Sequence, residues 1–367
     1  MKRLLAVLLC CALVLPAFVY ARALETSAAS AAVLDAATGA LMYAKNENMR
    51  RSMASTTKIM TALVVLENGD LDAVYRVKKE DASIEGSSLG LCEADRISVR
   101  ALLYGLMLVS GNDAAHALAV AVCGSEKSFV DLMNQKAAGL GLNDTHFMNP
   151  AGLTHKEHYS TAKDMAYLTA YALSNKTFRK ICALSDAQIT FVQPKKTVYL
   201  HNHNKLLGTY KGCIGVKTGY TLDAGRCLVS AAERHGQTII AVTLDDGDDW
   251  SDHEAMLDDA FRASKRYSFD LRNIRIPVVG SEVQNIKLST SEISFYLPRA
   301  LCNKVEVSIY APHFLYAPVK EKQPVAKLVF RIGDKVIKTY PLYSALDAAR
   351  QQTVQTESIW YKLFHYG

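Results

Sequence analysis

Residues 4–20 form an unbroken apolar run behind two cations, Lys2 and Arg3, with Pro16 near its end and small residues at Ala21 and Ala23. A positive start, a short apolar stretch and small residues at the exit are the layout of a secretory signal peptide. The run is short for a membrane span, which needs about 20 residues. Residues 1–23 are therefore expected to direct export and then be removed. Cys10 and Cys11 lie inside the run without the small residue that precedes a lipidated cysteine, so a lipoprotein is not expected.

Beyond residue 24 the periods separate into blocks. Residues 31–35 and 40–44 flank Thr38-Gly39 and predict a hairpin. Residues 55–67 place Ile59, Met60, Leu63, Val64 and Leu66 at helical spacing and stop at Asn68-Gly69. Residues 99–109 are apolar nearly all round, the pattern of a buried helix. Further helices are expected at 114–123 and 127–139. Thr161 followed by Asp164 reads as a capping box for a helix through Leu173. From Gln188 the period shortens: 188–192, 197–200, 214–219, 227–232 and 238–244 predict strands, and 251–265 a helix. Hairpin, helices, strands and a last helix imply a sheet whose outer parts come from opposite ends of the domain, with a helical insertion. Past residue 270 the texture becomes short strands, at 274–279, 293–297, 305–310, 326–331 and 335–340, with no long helix between them.

The expected organisation is a main domain over 24–270, a small all-β domain over 271–350 and a tail over 351–367. The tail contains Trp360, Tyr361, Lys362, Phe364 and Tyr366; this aromatic and basic composition suits a short amphipathic helix lying on a membrane surface. A tail packed on the β domain or left disordered is the alternative.

Composition narrows the classes. Half the residues are apolar and 21% are charged, an ordinary globular balance. A formal charge of +6 with no basic stripe gives no reason to expect a nucleic-acid partner. Of eight cysteines, six lie beyond the leader: Cys92, Cys123, Cys182, Cys213, Cys227 and Cys302. They form no C-x-x-C pair, so a zinc site has little support, and no metal or cofactor is expected. Export permits disulfides, with Cys213 and Cys227 the first pair to test, although buried free thiols are the simpler expectation.

Candidate chemistry lies in three places. Ser55-Thr56-Thr57-Lys58 opens a buried helix, and a serine and a lysine three apart share one face. A desolvated lysine spends enough time neutral to take a hydroxyl proton. Ser110-Gly111-Asn112 ends the apolar helix, where a hydroxyl can relay a proton and an amide can hold a carbonyl. Lys217-Thr218-Gly219 lies on a predicted strand, where a cation and a hydroxyl can hold an anion while glycine lets a ligand approach the backbone. Each tripeptide alone is nearly uninformative; the three in this order on these elements are specific.

S-x-x-K, S-x-N and K-T-G in this arrangement resemble the penicillin-binding proteins and serine β-lactamases. The surrounding residues 54–63, 110–114 and 215–221, with 30–35, 86–88, 149–153 and 201–207, are similar to the low-molecular-mass D-alanyl-D-alanine carboxypeptidases. The resemblance covers about 30–270 and, more loosely, the β region. It implies an α/β (α+β) fold: a β-lactamase/transpeptidase-like antiparallel sheet flanked by helices, a helical lobe, and the site between them. It further implies Ser55 as nucleophile, Lys58 as its base, and Ser110 in proton transfer. Asn112, Lys217, Thr218, Gly219 and Tyr220 would bind substrate, with the N–H groups of Ser55 and Tyr220 as an oxyanion hole. The implied substrate is a peptidoglycan stem peptide ending in D-Ala-D-Ala, with β-lactams as inhibitors. Arg226 is expected to sit beside Thr218 and help hold the substrate carboxylate, as an arginine does in class A β-lactamases; a solvated arginine at a strand start is the alternative.

Departures from the family pattern are Met53 in place of proline, His203 in place of a basic residue, and the acidic residues 245–250, read here as a solvated turn. A β-lactamase would need a glutamate to position a deacylating water, and Glu157 is the sole candidate in a comparable region. A silent wall-binding protein is opposed by the intact Ser55, Lys58, Ser110 and Lys217. Endopeptidase action on cross-links would use the same residues as carboxypeptidase action.

Overall fold

The structure is a computed structural model that describes residues 24–351. The expected signal peptide and nearly all of the aromatic tail lie outside the described residues.

Five antiparallel strands form the central sheet, in the order Leu41–Lys45, Ser30–Asp35, Gln237–Leu244, Gly225–Arg234, Cys213–Thr221. The first hairpin thus pairs with the last strand in sequence, as expected from the element order. Ser30–Asp35 is buried at every position, with Ala32 and Leu34 in one core and Ala31 and Val33 in another. A strand buried on both faces carries a continuous apolar run rather than alternation. The helix Asp249–Arg262 covers one face, contributing Met256, Leu257 and Ala260 to the smaller core. Lys58–Asn68 and Ala162–Ser174 cover the other, within the larger core. That core extends into the helical lobe of Val99–Leu108, Asn112–Cys123 and Glu126–Gly139.

Several local expectations are corrected. Thr161 does cap its helix by accepting from Asp164 N at 3.0 Å, but Asp164 turns its own carboxylate to Asp144 N and Thr145 Oγ1, so only half of the capping box forms. The strands expected at 188–192 and 197–200 are found as Asp186–Thr190 and Thr197–His201, a separate hairpin outside the main sheet. The last helix stops at Arg262 and not Lys265, because Ser264–Phe269 is a strand paired with Ile293–Pro298. Its Tyr267 and Phe269 pack edge-on against Phe330, the centre of the C-terminal core.

The C-terminal region is all β. A six-stranded sheet has the order Glu306–Tyr310, Pro324–Ile332, Lys335–Ser344, Asn285–Ser289, Arg275–Val279, Leu315–Tyr316. Asn285–Ser289 is a further strand beyond those expected, its Ile286 and Leu288 buried between polar neighbours. This region holds its own apolar clusters, around Phe330 and around Ile286.

All six described cysteines are free. Cys213 lies opposite Ala232 and Cys227 opposite Gly219. Five residue steps at about 3.3 Å separate them along the ladder, beyond the reach of a disulfide.

Candidate active site

The reactive segment begins with an unusual backbone. Ala54 has φ of 47°, a left-handed conformation rare for a residue with a Cβ. The short 3-10 turn Ala54–Thr57 then leads into Lys58–Asn68. Gly152, with φ of 89°, packs on this turn: a Cβ there would lie 1.9 Å from Ala54 O.

Lys58 has no solvent exposure. Burial, then the nearby charge of Lys217, push its pKa well below the ordinary lysine value, against an opposing pull from Asp113. Its Nζ lies 2.7 Å from each of Ser55 Oγ, Asn112 Oδ1 and Ala151 O. The last two can only accept. A neutral amine has two hydrogens and one lone pair, so these acceptors take both hydrogens and leave the lone pair facing the Ser55 hydroxyl. The Asn112 amide cannot be turned round, because its Nδ2 donates to Glu85 O at 2.6 Å. Asn112 therefore serves Lys58, and its carboxamide is already engaged at both ends.

A cleft of about 460 Å³ opens over this group, lined by Ser55, Ser110, Thr218, Gly219 and Tyr220. Ser110, 4% exposed and with φ of 61°, sits where Val99–Leu108 gives way to Asn112–Cys123. Lys217 lies behind the wall at 2% exposure and donates to Thr218 O at 2.9 Å. Burial lowers its pKa to about 7. Its charge lowers the pKa of both Lys58 and His203.

Cys213–Thr221 is the edge of the sheet. Tyr220 pairs with Arg226, whose carbonyl is given away to Asp246 N on the opposite side. By the alternation of an antiparallel ladder, Tyr220 N–H then points outward from the edge. A Cβ on Gly219 would lie 2.9 Å from Ser55 N, so only glycine keeps that amide accessible.

Arg226 lies opposite Tyr220 and not beside Thr218, a two-residue difference in register. It still lines the cleft, where its guanidinium is ion-paired with Asp249, a carboxylate 6% exposed. The acidic stretch 245–250 is accordingly not a solvated turn. Asp246 and Asp249 are buried, Asp246 accepts from the Ser27 hydroxyl, and Trp250 forms part of the cleft wall. His203 also lines the cleft, with its pKa lowered by partial burial and then by Lys217. Glu157 is exposed. Among the described residues no three metal-ligating side chains form a site.

Sequence reasoning passed over Ala151, which contributes only a carbonyl, and Asp113, at 1% exposure. Asp113 accepts from Ser88 Oγ and from the backbone N–H groups of Leu89, Gly90 and Leu91. Ser87, on the loop it ties down, reaches the cleft.

The sequence profile of the D-alanyl-D-alanine carboxypeptidase family matches residues 18–248. The chain belongs to that family. It is a serine-type D-alanyl-D-alanine carboxypeptidase, a hydrolase. D-alanyl-D-alanine carboxypeptidase DacF of Bacillus subtilis (strain 168) is 34% identical over 337 residues, covering 88% of this chain and 86% of that protein. The Streptomyces K15 DD-transpeptidase structure covers 65% of the chain and 98% of itself, at 36% identity and a TM-score of 0.63. Penicillin binding protein 5 from Haemophilus influenzae covers 89% of the chain and 98% of itself, at 26% identity and a TM-score of 0.63.

Proposed function

We propose that this carboxypeptidase removes the terminal D-alanine of peptidoglycan stem peptides through an ester on Ser55. Neutral Lys58 takes the Ser55 proton as Oγ attacks the penultimate D-alanine carbonyl. The oxyanion that forms is held by the N–H groups of Ser55 and Tyr220, donors of a kind worth about 3 kcal/mol each. The peptide C–N bond then breaks, and the proton passes through Ser110 to the departing amine. Water, giving its proton to Lys58, attacks the ester carbonyl; Lys58 passes that proton to Ser55 Oγ as it leaves, and the shortened peptide departs with a new carboxyl group. Lys217 and Thr218 hold the terminal carboxylate, and the free edge of Cys213–Thr221 offers backbone partners to an extended peptide. Arg226, anchored by Asp249, adds positive charge at the mouth. β-Lactams acylate Ser55 in the same way and leave slowly, as the name of the Haemophilus relative suggests.

The observation that carries this reading is the trio around Lys58 Nζ, which leaves a lone pair for Ser55 alone. The test is release of D-alanine from a peptide ending in D-Ala-D-Ala, alongside labelling by a fluorescent penicillin. Ser55→Ala is expected to lose both completely. A folded Ser55→Ala variant that still releases D-alanine overturns the assignment.

The proposal includes export through residues 1–23, action at the outer face of the cell membrane, and contact of the tail 351–367 with that membrane. An aromatic tail that places Lys362 and His365 among its rings and an apolar leader support it. Among the described residues no helix is long and apolar enough to cross a membrane.

A further inference from the structure

His158 is 2% exposed and lies in the segment that packs under the reactive turn. Its surroundings assign its tautomer. Met148 N–H donates to Nδ1 at 3.0 Å, so in the neutral ring the hydrogen is on Nε2. Nε2 lies 2.8 Å from Thr57 Oγ1, and Thr57 Oγ1 in turn donates to Ala54 O at 2.8 Å. The hydroxyl gives its one hydrogen to Ala54 O and accepts the Nε2 hydrogen, so every donor and acceptor in the chain is used once. Burial, with the charges of His146, His155 and Lys58, lowers the pKa of His158 to about 3, which keeps the ring neutral and Nδ1 an acceptor across the physiological range.

The end of this chain falls on a meaningful atom. The Ala54 carbonyl and the Ser55 N–H belong to one planar peptide unit. Fixing the carbonyl fixes the direction of the N–H, and a hydrogen bond to the carbonyl polarises the N–H. Ala54 needs such support, since its φ of 47° is unfavourable for a residue with a side chain. Gly152, which leaves room for the Ala54 carbonyl, comes from the same segment as His158.

We propose that His158 is a positioning residue for the oxyanion hole, acting through Thr57 to aim and polarise the Ser55 N–H at the substrate carbonyl. This rests on Ser55 being the nucleophile and its own N–H an oxyanion donor. The role is carried by the transition state. Loss of the relay is expected to lower kcat with KM nearly unchanged. The fall should be about 10-fold, short of the roughly 100- to 1,000-fold loss for deleting an oxyanion donor outright.

The experiment uses the acyl-enzyme formed with benzylpenicillin on the full chain, examined by infrared difference spectroscopy, with mass spectrometry locating the adduct. In the wild type the ester carbonyl is polarised by the hole. In His158→Phe its stretching band is expected to move to higher wavenumber, with kcat for the D-Ala-D-Ala peptide falling about 10-fold. His158→Gln can accept from Met148 and donate to Thr57, and is expected to restore both. Thr57→Val cuts the relay without touching His158; it is expected to shift the band in the same direction and provides the test if His158→Phe does not fold. An adduct on Ser55 with an unmoved band in His158→Phe, or in Thr57→Val where His158→Phe does not fold, overturns this inference alone. A drop in kcat with an unmoved band shows a merely structural role and overturns it equally. An adduct on a residue other than Ser55 overturns the nucleophile assignment, and this inference with it.

Discussion

Two buried lysines are both pushed below the ordinary lysine range by desolvation, and Lys58 is pushed further by the charge of Lys217. For Lys58 the repulsion of Lys217 adds to complete burial, and together they favour the free amine, which still has two hydrogens for the Asn112 and Ala151 oxygens. Lys217 has a pKa lowered by burial to about 7, so near neutrality it still carries charge part of the time. Below about pH 7 the free protein holds an ammonium ready for a carboxylate; above it that charge is lost. The parameter kcat/KM reports ionisations of the free enzyme. It is therefore expected to fall as pH rises beyond about 7, and a D-Ala-D-Ala peptide whose terminal carboxylate is capped as an amide is expected to lack that fall. A carboxylate substrate whose profile stays flat from neutrality into the alkaline range contradicts the role given to Lys217. At this scale the candidates Ser55 and Lys58 were legible in the sequence because a serine and a lysine one helical turn apart leave a local mark, and Ser110 and Lys217 through the S-x-N and K-T-G tripeptides. Ala151 and His158 were not. A backbone carbonyl has no residue signature, and a histidine in a loop becomes informative only when both ring nitrogens have known partners.

Elements place these side chains by their ends and edges. Ser110 sits between two helices, Ser55 on the 3-10 turn that starts a third, and the K-T-G segment on an edge strand. The loop over the cleft is held by one carboxylate, Asp113, at the start of Asn112–Cys123. Replacing it strands the Leu89 and Leu91 N–H groups and the Ser88 hydroxyl, while Gly90 N–H keeps Ser88 Oγ at 2.8 Å. Buried donors without partners cost about 1–3 kcal/mol each, partly recovered by water. Asp113→Ala is expected to lower unfolding free energy by about 3 kcal/mol in urea titration and to slow penicillin acylation. An unchanged midpoint would show that the loop is held by other means. Element types were well marked by period, but several ends were not. The helix read as running to Lys265 stops at Arg262 because Tyr267 and Phe269 are drawn into a distant aromatic cluster around Phe330. The register of Arg226 likewise depended on where the hairpin turn fell, and one apolar pattern fits either register.

The molecule as a whole carries separate apolar cores for its peptidase and C-terminal β regions. Contact between them includes the stacking of His235 on Tyr296 at 5.1 Å. The Streptomyces structure that matches 65% of this chain is itself 98% covered, so a protein of about that extent stands without the β region. A chain ending at Ala263, before the strand that pairs with the β region, is expected to fold and to be labelled at Ser55 by penicillin. Its melting temperature should fall by only a few degrees, because the cores are distinct. Loss of folding in the truncated chain would show that the β region is part of the catalytic fold.

The linear pattern by itself determined most of the helix-and-strand order in the first domain, the closing of the sheet by strands from both ends, and the three segments that supply the candidate catalytic side chains. These follow from periodicity and from residue types that tolerate few environments. Folding alone decided that Asn112 serves Lys58, that Arg226 is bound to Asp249, that Cys213 and Cys227 cannot meet, and that His158 reaches the Ser55 peptide. Each of these depends on a contact between residues distant in the chain or on the register of a ladder, and neither leaves a trace in local sequence.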